Sequence, residues 1–156
     1  MALTPDKIHS KHDIHPNQSF WYELCGTQIF KSLGLAEVTP TSIQKFDAHY
    51  LKYYSFLLDK YIDIHDLHDK KKLEIGLGFG TVGNILLKNS KEYTALDYSK
   101  GPVNMMNTGI SWAQKEKNCT SIQGSALQMP FENNTFDYVV SIGCLHHTGD
   151  TQRCIH

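Results

Sequence analysis

From Lys71 onward the apolar positions leave helical spacing and fall into short runs, each followed by a segment of helical period. "KLEIGLG" (72–78) reads as a buried strand ending in glycine, and "TVGNILLKNS" (81–90) as a helix. "EYTALDYS" (92–99) reads as a second strand, "GPVNMMNTGISWAQKEKN" (101–118) as a second helix, and "CTSIQGSA" (119–126) as a third strand. "MPFENNT" (129–135) is a turn, "FDYVVSIGCLH" (136–146) a fourth strand, and "TGDTQRCIH" (148–156) begins a helix. Strand alternating with helix predicts a parallel, doubly wound α/β sheet with right-handed crossovers. Upstream, Pro40 precedes a helix in which Thr41 is the predicted N-cap and Gln44 its capping-box partner. Ile43, Phe46, Tyr50, Tyr53, Leu57 and Tyr61 recur at helical spacing, an aromatic stripe that either packs on the domain or also touches ligand.

Three parts follow: a flexible N-terminal tail (1–18), a helical cap (19–69) and an α/β part (70–156). The histidines of the tail, His9, His12 and His15, and those of the polar stretch before the first strand, His65 and His68, are expected to be solvated. The chain is one domain in size, 156 residues with 40% apolar and 20% charged content. Net charge is −1 and Arg153 is the lone arginine, which argues against a nucleic-acid partner because the bidentate fork for phosphate is nearly missing. With neither a signal-like N-terminus nor an uninterrupted apolar span, the expected location is cytoplasmic, with no membrane partner. Cys25, Cys119, Cys144 and Cys154 show no paired spacing and are expected to be reduced.

Sheets of this kind bind ligands outside the carboxyl ends of the strands, where strand order reverses. Three features fall at such ends: the glycine loop, Asp97, and the segment Cys144-Leu145-His146-His147. The loop parses two ways. Gly78-x-Gly80-x-x-Gly83 suggests a nicotinamide dinucleotide, while Glu74-x-Gly76-x-Gly78-x-Gly80 suggests another nucleotide cofactor. Asp97 stands fourteen positions after Gly83 and nineteen after Gly78, so distance leaves both open. Glu74 bears on the choice, since a carboxylate next to a pyrophosphate repels it but tolerates a ligand carrying ammonium and sulfonium. It could equally brace the loop through backbone amides.

With "LEIGLGFG", "LDYS" and "GSALQMPFENNTFDYVVSIGCLHHT" in order, and "SFWYELCGT" upstream, the sequence resembles the class I S-adenosylmethionine-dependent methyltransferases. Within them it is similar to the small-molecule, ubiquinone-biosynthesis-like branch. The resemblance implies a Rossmann-like sheet of order 3-2-1-4 and S-adenosyl-L-methionine as cofactor. Gly76, Gly78 and Gly80, with Leu77 between them, would surround the methionine portion, with Glu74 beneath. Asp97 would accept the ribose hydroxyls, Tyr98 would lie against the adenine face, and Ser125 and Ala126 would meet its edge. Gly143 and Cys144, closing the fourth-strand motif, complete the implied site. Ser125 stands where the family commonly has an acid, and Asp137 is more structural than ligating.

The implied reaction is methyl transfer to a small-molecule acceptor. His146 is the candidate catalytic base and His147 the lesser one, against a reading in which the pair packs and caps the next helix. Cys144, His146, His147, Cys154 and His156 cluster in sequence but lack metal-ligand spacing, so no metal is expected. The helix, fifth strand and antiparallel pair that the resemblance places after strand four do not follow. The expectation is therefore a truncated chain whose "YVVSI" edge is open to self-association. The alternatives are an inactive cofactor-binding or pairing module and, third, an NAD-dependent oxidoreductase.

Overall fold

Two runs of apolar residues become central strands because both of their faces are covered. In the computed structural model, which describes residues 27–37, 39–62, 67–88, 90–112 and 118–156, they are β1 (Lys71–Ile75) and β2 (Glu92–Asp97). β3 (Asn118–Gln123) and β4 (Tyr138–Val140) flank them in a four-stranded sheet of order β3-β2-β1-β4. All pairings are parallel, with Ile75 opposite Leu96, Asp97 opposite Gln123 and Glu74 opposite Val140. The predicted order therefore holds. The tail, most of "SFWYELCGT" and His65 lie outside the described residues.

The period of two along each strand sorts the core. Leu73 and Ile75 face one side, where they meet Leu96 and, around it, Ile122, Phe131 and Phe136. Tyr93 and Ala95 face the other, against Leu58, Val82, Leu86 and Met106. After a first short helix, α1 (Thr27–Ser32), Leu58 comes from α2 (Pro40–Tyr61), Val82 and Leu86 from α3 (Thr81–Lys88), and Met106 from α4 (Lys100–Trp112). A short α5 (Thr151–Ile155) follows, with Asp150 as N-cap accepting from the Arg153 N–H at 3.0 Å.

A helix cap, a buried helix face and a strand length depart from the sequence expectation. The N-cap of α2 is Thr39, not Thr41: Pro40 takes the first helical position, where a missing N–H costs nothing, and Ser42, not Gln44, closes the capping box. The buried stripe of α2 runs through Ile43, Phe46 and Leu58, while Tyr53 and Tyr61 are exposed. β4 is three residues long rather than eleven. Past Val140, the Ser141 hydroxyl donates to the Ile75 carbonyl at 3.0 Å, Gly143 turns the chain at φ +68, and residues 145–147 form a 3-10 turn. Asp137 is structural as expected, accepting the Lys71 N–H at 2.8 Å and so aligning β4 with β1.

Candidate functional site

Between β1 and β4 the strand order reverses, which opens a crevice at their carboxyl ends. A cavity of about 370 Å³ lies there, a size suited to a small-molecule ligand. It brings together Glu74, Gly76, Leu77, Gly78, Asp97, Tyr98, Ser125, Ala126, Gly143 and Cys144, ten residues singled out in the sequence and drawn from four separate segments.

The glycine loop is shaped by backbone needs. Gly76, Gly78 and Gly80 have φ of +82, +52 and +78, a region that side-chain-bearing residues rarely adopt. Gly76 follows β1 beneath the Cys144 side chain, which a Cβ at that position would strike. Gly80 does not line the cavity; its N–H donates to the Leu77 carbonyl at 2.8 Å, and its own carbonyl accepts the Asn84 N–H at 2.8 Å, turning the loop into α3. Gly83, the third glycine of the dinucleotide parsing, serves packing instead, since a Cβ there would run into Met106, Tyr93 and Glu74.

Asp97 is 8% exposed, and its carboxylate is bound on both oxygens. Oδ2 accepts the Leu77 N–H at 2.7 Å and Oδ1 the Ser99 N–H at 2.7 Å. The carboxylate thus joins the end of β2 directly to the glycine loop. Burial raises its pKa, and these two amides pull it back down. Each oxygen keeps a lone pair for a further donor.

Glu74 points to the same face as Tyr93, whose hydroxyl donates to its Oε2. Burial chiefly pushes this carboxyl up to about 8, with the Tyr93 hydrogen bond working against the shift and the Asp97 charge adding to it. At neutral pH it is therefore mostly a neutral acid, which lowers the cost of burying it. Glu74 is thus held by the phenol of Tyr93 on β2, and not as a brace of the loop through backbone amides.

The loop after β3 is held by Ser125. Its Oγ accepts the Leu127 N–H at 3.2 Å and its carbonyl accepts the Gln128 N–H at 3.1 Å. The Ser125 hydroxyl thus fixes a turn, and its proton can donate to a further acceptor. A Cβ on Gly124, just before Ser125, would come within 2.7 Å of Leu96 Cδ1 and make that side chain shift.

Of the two histidines, His147 lines the cavity and His146 is exposed outside it. Alternating strand geometry does not apply here, because both sit in the 3-10 turn, with ring centroids 3.7 Å apart. The His147 pKa is lowered, first by burial and then by the neighbouring His146 charge.

Sequence reasoning missed the way the cap meets the loop. Phe79, at the loop tip, stacks on Phe46 at 4.3 Å and on Phe30 at 5.1 Å between ring centroids. Asp47 Oδ1 accepts the Thr81 hydroxyl at 2.6 Å. Phe46, Tyr50 and Tyr54 line the cavity from α2. Among the described residues no group of three or more His, Cys, Asp or Glu is arranged to hold a metal, and no helix is long and apolar enough to cross a membrane.

The family model for a methyltransferase domain matches residues 73–156. Among solved structures the chain is similar to the YcgJ protein of Bacillus subtilis, at 23% identity and TM-score 0.54 over 59% of this chain and 40% of that one. It is also similar to a proposed S-adenosyl-L-methionine-dependent methyltransferase of Methanococcus maripaludis, at 21% identity and TM-score 0.58 over 77% and 57%. A third is the cyclase SpnF, at 14% identity and TM-score 0.64 over 88% and 52%. These likenesses show the fold, and a cyclase among them illustrates that the fold by itself names no reaction. The chain spans about half the length of these structures. No curated protein matches it.

Proposed function

The chain belongs to the methyltransferase domain family, and from that premise we propose that it transfers a methyl group from S-adenosyl-L-methionine to a small-molecule acceptor. One observation carries the proposal: the glycine loop and the loop of Ser125 and Ala126 open into a single cavity, with Asp97 tied to the first of them through Leu77. The residues present fit the cofactor. Gly76, Leu77 and Gly78 would hold its methionine portion, and Asp97 has one lone pair on each oxygen for the two ribose hydroxyls. Tyr98 would lie along the adenine, with Ser125 and Ala126 at its edge.

The Asp47 carboxyl, at the first turn of α3 behind Thr81, supports this ligand over a dinucleotide: without touching the ligand, its charge would oppose a pyrophosphate seated on the loop and favour an ammonium and a sulfonium, while Glu74, mostly neutral at neutral pH, adds to neither effect. When bound, the cofactor supplies an electrophilic methyl group on sulfur. The chain aligns an acceptor with it and keeps water away, and Phe46, Tyr50 and Tyr54 provide an apolar wall for both tasks. His147, lining the cavity with a lowered pKa, is available as a neutral base for an acceptor that must lose a proton. The reading keeps the cytoplasmic placement expected from the sequence.

A second reading is a cofactor-binding module that pairs through β4, where Val139 is 55% exposed on a strand at the sheet edge. Calorimetric titration with S-adenosylhomocysteine and, separately, with NAD tests the cofactor. Binding of the first and not the second is expected; the reverse returns the oxidoreductase reading. Formation of S-adenosylhomocysteine from the methyl donor with a panel of phenol and amine acceptors tests transfer. Binding without turnover across that panel favours the pairing module.

A further inference from the structure

We infer that Asp47 and Thr81 form a latch through which the cap helix sets the shape of the glycine loop, with Asp47 a positioning residue that touches no ligand. The significance given to that shape rests on the cofactor reading above; the latch itself rests on geometry.

The tip of the loop, Phe79, is flanked by Gly78 and Gly80, both at positive φ. Glycine joints on either side leave the tip free to swing, so the loop cannot hold a single form by its own backbone preference. Two adjacent residues of one turn of α2 supply the restraint. Phe46 stacks on the Phe79 ring, which Phe30 of α1 covers from its own side. Asp47, next along the chain, accepts the Thr81 hydroxyl at 2.6 Å. The cap thus grips the residue before Gly80 and the residue after it.

Thr81 lines the cavity and Asp47 does not, so any influence of Asp47 on a ligand passes through Thr81. The carboxylate is well placed to persist there. It stands at the first turn of α3, where negative charge is favourable, and it also meets the Asn84 side chain and the Lys88 charge. Burial raises its pKa, and the hydrogen bonds from Thr81 and Asn84 oppose that rise. Loss of the latch should loosen Gly80 N–H to Leu77 and Asn84 N–H to Gly80, the two bonds that define the turn.

Amide hydrogen exchange on the ligand-free chain tests the latch without any cofactor. In Asp47→Ala and Thr81→Val, exchange at Gly80 and Asn84 should quicken by about tenfold, while β2 amides stay as in the unmodified protein. Thr81→Ser, which keeps the hydroxyl, should restore slow exchange. The double variant should be no faster than either single one, as two partners of one bond are not additive. S-adenosylhomocysteine affinity should fall by about tenfold in the same two variants and recover in Thr81→Ser. Unchanged exchange at Gly80 and Asn84 in Thr81→Val overturns the latch, even if Asp47→Ala fails to fold. If the unmodified chain binds no S-adenosylhomocysteine, the cofactor reading fails, and exchange still decides the latch.

Discussion

The Leu77 N–H donates to Asp97 Oδ2 at 2.7 Å, so the acid at the end of β2 and the loop after β1 are one bonded unit. Asp97→Ala would strand this amide and that of Ser99, both buried, and remove the acceptor proposed for ribose. S-adenosylhomocysteine affinity should fall by about a hundredfold or more, a loss of about 3 kcal/mol. Asp97→Asn, which keeps one carbonyl oxygen, should fall between. Calorimetry on both variants decides it, and an Asp97→Ala affinity equal to that of the unmodified chain removes Asp97 from the site.

Glu74 makes stability depend on pH in a predictable direction. Its folded pKa of about 8 lies above the ordinary 4.5, so between these values the folded state holds a proton that the unfolded state has released. The contribution is fully present below about pH 4.5 and is lost as pH rises through 8. Glu74→Gln keeps an oxygen for the Tyr93 hydroxyl and removes the ionisation. The variant should match the unmodified chain near pH 4.5 and exceed it near pH 9 by a few kcal/mol in urea unfolding. Parallel stability curves would show that Glu74 is ionised in the folded state.

Gly83 separates the two parsings of the glycine loop. Since a Cβ there would press on Met106, Tyr93 and Glu74, Gly83→Ala should cost about 1–3 kcal/mol of stability by overpacking. Gly101→Ala, on a position with open space around it, is the control and should be neutral or slightly stabilising. Thermal unfolding of the pair checks this; a Gly83→Ala protein of full stability would make the packing role untenable.

Tyr50 and Tyr54 present their rings to the cavity 4.8 Å apart between centroids. A ring face near a sulfonium contributes about 0.5–2 kcal/mol. Tyr50→Ala and Tyr54→Ala should therefore weaken binding of the sulfonium donor more than of the neutral thioether product. Equal losses for the two ligands would indicate packing alone.

What could be read ahead of the structure followed from local period and spacing. The change of period at Lys71 disclosed the strands, and the glycines with Asp97 disclosed where they converge. Thr39 is legible too: a Thr before Pro40 with Ser42 three residues on is an N-cap signature that competes with Thr41 and Gln44. The link from Asp47 to Thr81 spans 34 residues and has no local sign. Glu74 was recognisable as a costly carboxyl, but its remedy depended on Tyr93, one strand away, reaching it through sheet register. Period also failed at the two histidines, because a strand reading aims His146 and His147 to opposite sides whereas the 3-10 turn brings their rings together at a tilt.

That turn yields the test of which histidine acts. His147 is depressed below the ordinary 6.5, first by burial and then by His146, so its imidazole is neutral across the neutral range. Replacing His146 by Gln removes the second cause and leaves the first. The His147 ring should then titrate at higher pH, though still below an exposed histidine, in a proton NMR titration of its Cε1–H. In the transfer assay His146→Gln should keep activity within about threefold, while His147→Gln should lose about 100-fold or more if it takes the acceptor's proton. The acid limb of the rate against pH should follow the His147 titration and move with it in His146→Gln. A limb that stays in place while the NMR titration moves would assign the proton transfer to another group and leave His147 as wall.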